Sequence, residues 1–130
     1  MQPDLVARFL VTGFFAVVFL QSSVDKLTDR DGNIAYFTDH FKSSPVPSTA
    51  VPLLFWLLTV IEGLAGVLCA LGLLLGDFVG KGFGVSACGV SIGGVALLGL
   101  LAGQRLAKDY AGAAVIAAYF AVALLGLSFF

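Results

Sequence analysis

Charge is what this chain has least of. Only 12% of its 130 residues are charged, against about 25% in soluble domains, while 59% are hydrophobic. That shortage excludes an ordinary water-soluble domain. Histidine is limited to His40 and cysteine to Cys69 and Cys88. A single histidine without Cys or acidic partners at ligand spacing makes no metal motif, and haem ligation by paired histidines of this chain is excluded. His40 is therefore read as a polar residue at headgroup level. The two cysteines form no C-x-x-C pair, and buried cysteines ordinarily pack as small apolar groups. Seven basic residues face eight acidic ones, for a net charge of -1. No basic block is present, which argues against nucleic acid as a partner. The glycines of Gly80 to Gly84 follow no strand, so they are turn and packing residues rather than a phosphate loop.

Apolar sequence is what the chain has in quantity. Runs over residues 51–75, 82–103 and 110–130 approach or exceed the roughly 20 residues that span a ~30 Å hydrocarbon core. A further run, 5–24, carries Arg8 near its start, where a long side chain can snorkel to the headgroups. It has no clear small-x-small cleavage site, so it is expected to stay in the mature protein. The expected fold is all-α: one membrane domain over residues 1–130, a four-transmembrane-helix bundle with a short interfacial amphipathic helix between the first two spans. That segment, residues 31–44, follows the turn signal Asp31-Gly32-Asn33. Ile34, Phe37 and Phe41 share one face at helical spacing, which predicts a helix over 34–42 lying in the interface. Residues 76–81 are a tight turn, so the second and third spans form an antiparallel hairpin. Ser86, Gly89, Gly93 and Ala96 make a small-residue stripe that lets backbones approach closely, within the bundle or against another subunit.

Glu62 interrupts the second span. At ~1.5 Å per residue it lies about 16 Å along the helix from Val51, near mid-membrane. A carboxylate there costs roughly 2.5–3.5 kcal/mol on insertion scales, so it is expected to face the bundle and find a polar partner. Antiparallel geometry offers Ser22, Ser23 and Lys26 from the first span, and Gln104 or Arg105 from the third. Two readings stay open: a packing anchor, or a group that takes part in proton, quinone or partner binding. If Glu62 only anchors packing, Glu62→Gln should be tolerated. Arg8 and Lys81 fall on the side of both termini, while Lys26, Arg30, Lys42, Arg105 and Lys108 fall on the other, which favours external termini and a cytoplasmic long loop.

Several segments resemble the DoxX family of small four-helix membrane proteins. They are RFLVTGFF from Arg8 to Phe15, DKL from Asp25 to Leu27, the Tyr36-Phe37 and His40-Phe41 pairs, IEG from Ile61 to Gly63, LGLLLG from Leu71 to Gly76, and GQRLAKDYAG from Gly103 to Gly112. The chain departs from the family's pattern at Ser22 and Ser23, where many members carry a glycine ahead of the lysine. The resemblance covers nearly the whole chain and implies a setting more than a reaction, since members include a subunit related to thiosulfate:quinone oxidoreductase and others associated with redox complexes. It implies an accessory subunit of a larger redox or transport complex in a bacterial inner membrane, with other integral subunits or copies of itself as partners. The rival expectations are a small quinone-interacting component using Glu62 and Arg105, and a small-solute or proton carrier. No cofactor is expected to be held by the chain itself, quinone excepted.

Overall fold

The computed structural model describes residues 2–130. Among them are five α-helices: α1 (Pro3–Thr28), α2 (Arg30–His40), α3 (Val51–Leu75), α4 (Val85–Leu106) and α5 (Tyr110–Leu127). Four of these, α1, α3, α4 and α5, are long and apolar enough to cross a membrane. Together they form a helical bundle, and the protein is a multi-pass membrane protein. Large apolar side chains such as Leu10, Val17, Leu53, Val60, Leu74, Val95 and Leu125 cover its outside, the arrangement a lipid solvent requires.

Burial follows a helical period on each packed face. In α1 the buried stripe runs Arg8, Val11, Thr12, Phe15, Ala16, Phe19, Ser23, Lys26. In α3 it runs Val51, Phe55, Thr59, Glu62, Ala65, Gly66, Cys69, Gly72. Helix α3 packs most extensively on α1 and α4, and α4 also on α5; α1 crosses the middle to touch α4, with Phe19 against Gly93. The stripe Ser86, Gly89, Gly93, Ala96 is buried inside this bundle. A Cβ added at Gly89 would stand 2.8 Å from the Cys69 backbone nitrogen, so the α3–α4 approach depends on its absence. Both cysteines are free, Cys69 buried and Cys88 half-buried.

The ends of the helices differ from the apolar runs for local reasons. Helix α1 starts at Pro3, whose fixed φ suits a first turn, and it continues past Val24 to Thr28 because Ser23 and Lys26 still face the bundle. The interfacial helix begins at Arg30 and ends at His40, with Phe41 and Lys42 in the turn that follows, so it is shorter than the 34–42 segment at one end and longer at the other. None of its residues is fully buried, yet Ile34, Phe37 and Phe41 are half-buried, and the Phe37 ring lies 6.2 Å from Phe55. Helix α3 stops at Gly76, which takes the left-handed conformation (φ 69°) that a residue with a Cβ resists. Gly82 and Gly84 stay outside α4, which starts at Val85 instead of 82, and Asp77 accepts a bond from the Ser86 backbone N–H at 2.8 Å.

Candidate functional site

Three polar clusters sit in this apolar framework. The first surrounds Glu62. Ser22 and Lys26 are one turn apart on α1 and so share a face. Antiparallel packing brings that face to Glu62 of α3. Ser22 Oγ donates to Glu62 Oε2 at 2.7 Å, and Lys26 Nζ donates to the same oxygen at 3.0 Å and to Ser22 Oγ at 2.7 Å. Glu62 is 2% exposed and Lys26 8%. The lysine stem is buried and its charge is spent on the carboxylate. At an effective dielectric near 20 the attraction is on the order of 5 kcal/mol, largely offset by desolvating both groups. The cluster therefore fixes the register of α1 on α3 more than it adds stability. Ser23 is buried beside Gly63 and makes no bond to Glu62.

The third-span candidates go elsewhere. Arg105 does not approach Glu62: it is exposed near the end of α4, with its guanidinium carbon 4.7 Å from the centre of the Tyr110 ring. Gln104 does not approach it either. Its side-chain oxygen lies 2.7 Å from Nε2 of His40, and Asp109 Oδ2 lies 3.7 Å from the same nitrogen. Asp109 caps α5 by accepting from the Gly112 backbone N–H at 2.9 Å. The second cluster is thus His40, Gln104 and Asp109, formed where α2 ends over the α4–α5 turn. His40 is held in place against the bundle and stacked on Tyr36, with ring centres 5.5 Å apart. The capping aspartate before an apolar run was the one local sign of this cluster.

A cavity of about 200 Å³ opens between α3 and α4 beneath α2. Phe37, Phe41, Phe55, Leu58, Ile61 and Leu100 form much of its wall, and His40 and Gln104 form its polar end. Leu54, Leu57 and Val95 also border it and are exposed on the outer surface of the bundle, so its mouth faces the lipid.

The third cluster lies at the opposite end. Arg8, expected to reach the headgroups, is 4% exposed and turned into the protein. Its guanidinium donates to the carbonyls of Phe78 at 2.7 Å, Val79 at 3.1 Å and Phe129 at 3.1 Å. These carbonyls belong to the α3–α4 turn and the segment after α5, and the arginine ties both to α1. Five fixed donors suit it to gather several acceptors at once.

Fold and polar sites together define a four-span α-helical membrane protein. No protein-family model, no curated protein and no solved structure matches the chain. Among the described residues no group of three or more His, Cys, Asp or Glu is placed to hold a metal ion.

Proposed function

We propose that this chain is a DoxX-like accessory subunit, seated in a bacterial inner membrane beside larger redox or transport subunits. The observation that carries the reading is the closed Ser22–Lys26–Glu62 cluster. Lys26 and Glu62, both buried, are committed to each other at 3.0 Å, so they act as an anchor between helices. A carrier or proton relay needs a group free to change partners along a path. The bracket of Glu62 and Arg105 around a quinone head has no support either, because Arg105 sits outside the bundle over Tyr110. What the molecule offers is a rigid block with apolar outer faces on all four spans, the surface by which one membrane subunit packs on another.

Mild-detergent extraction from the native membrane, followed by native mass analysis, tests this. The expected result is a fixed set of larger membrane proteins that co-extract with the chain and lose abundance when its gene is deleted. A lone, monodisperse protein in every mild detergent, with no other membrane protein changed by the deletion, overturns it.

A further inference from the structure

We infer that the cavity between α3 and α4 is a slot for one acyl chain of a membrane phospholipid, held beneath α2 as part of the folded protein. The slot is built by this chain alone, so the inference is independent of the subunit reading.

Its shape fits an acyl chain. On α3 the wall runs from Val51 to Ile61, and on α4 from Gln104 back to Val95. At ~1.5 Å per residue those stretches are about 15 and about 14 Å long, so the slot follows the helices from the level of α2 to that of Glu62. One leaflet of a ~30 Å hydrocarbon core has the same depth, about 15 Å. The volume of about 200 Å³, drawn out over that length, is far thinner than a helix about 10 Å across. A side chain from a neighbouring subunit would fill only the part near the mouth.

The lining selects hydrocarbon. Among the described residues no Lys or Arg borders the cavity, and its polar end is already occupied: His40 Nε2 lies 2.7 Å from Gln104 Oε1, while the Gln104 amide nitrogen lies against Gly112. What remains is aliphatic and aromatic surface, which gains dispersion contacts with methylenes and forfeits them if left empty. Helix α2 makes the roof. Phe37 lies over Phe55 of α3, and the Phe41 ring reaches α4, 3.2 Å from where a Cβ of Gly103 would stand. The roof thus bridges both walls, and the chain enters sideways past Leu54, Leu57 and Val95 with its head group beside α2. Because α2 has no fully buried residue of its own, the acyl chain completes its seat.

The whole protein, extracted from native membranes in mild detergent and followed by native mass analysis, tests this. The native chain is expected to keep one phospholipid after the surrounding lipid is stripped. Gly99 lines the slot and Gly94 does not, yet an added Cβ meets nothing within 4 Å at either. Gly99→Leu should therefore lose the phospholipid and Gly94→Leu should keep it. If Gly99→Leu fails to fold, Leu54→Trp at the exposed mouth decides the matter by blocking entry. Harsher delipidation of the native chain should speed tryptic cleavage after Arg30 and Lys42, the exposed ends of the α2 segment, and added dioleoylphosphatidylcholine should restore the slow rate. No phospholipid on the native chain, or equal retention by the slot variants, overturns the inference, as does cleavage indifferent to lipid. A lipid-free native chain bound to a membrane subunit that Leu54→Trp releases also overturns it, because the slot would then seat a protein.

Discussion

At the scale of single residues, Lys26 and Glu62 have value only as a pair. Removing one partner leaves the other buried at 2–8% exposure without a counter-charge. Lys26→Met should therefore destabilise the fold by about 3–5 kcal/mol, while the double variant Lys26→Met/Glu62→Met should lose much less. Glu62→Gln, harmless if hydrogen bonding to Ser22 were all that mattered, is expected to fall with the damaging single variants because Lys26 keeps its charge. Unfolding in denaturing detergent, compared across the native chain, Lys26→Met, Glu62→Met and the double variant as a double-mutant cycle, measures the coupling. A double variant as unstable as the worse single one would remove the pair from the account. Arg8 makes a different demand. Arg8→Lys keeps the charge but cannot span three carbonyls, so a loss of about 2 kcal/mol is expected by the same measurement. Wild-type stability for Arg8→Lys would mean that the carbonyls need only a nearby charge.

At the scale of elements, the α3–α4 hairpin depends on backbone proximity at Gly89 and not on glycine as such. A Cβ at Gly89 meets the Cys69 nitrogen at 2.8 Å, whereas one at Gly94, five residues further along α4 and off that contact line, meets nothing within 4 Å. Gly89→Ala should cost about 1–3 kcal/mol through forced separation of the two helices. Gly94→Ala should be neutral or slightly stabilising, since alanine is the better helix former by about 1 kcal/mol. Thermal unfolding of both variants in the same detergent separates the two cases, and equal effects would show that α4 shifts freely on α3. Helix α2 is the opposite kind of element. It has no buried residue of its own and is held by Phe37 on Phe55 and by His40 on Gln104.

For the whole molecule, the distribution of charge changes once side chains are in place. Arg8 and Lys26 are consumed inside the bundle, leaving Lys81 on the side of the termini and Arg30, Lys42, Arg105 and Lys108 exposed on the other. The excess of exposed basic residues favours a cytoplasmic α2 side. In intact cells a cysteine placed at Lys81 should react with an impermeant maleimide and one at Lys42 should not. The reverse pattern inverts the topology.

The span count, the all-helical class and the need for an inward Glu62 follow from sequence alone, because hydrocarbon forces every backbone group into a helix and every buried charge toward a partner. Composition states those constraints directly. Which partner Glu62 takes was not legible: Ser22, Ser23, Lys26, Gln104 and Arg105 all lie at reachable depth, and only the rotation of each helix about its axis separates them. That rotation is set by side-chain packing, with Phe19 against Gly93 and Cys69 against Gly89, and it turns Lys26 inward and Arg105 outward. The same holds for Arg8 and for His40 with Gln104, whose partners lie 70 and 64 residues away along the chain. No local pattern encodes a contact at that separation. The tertiary structure decided it by bringing helix ends together where unpaired carbonyls and polar tips could meet.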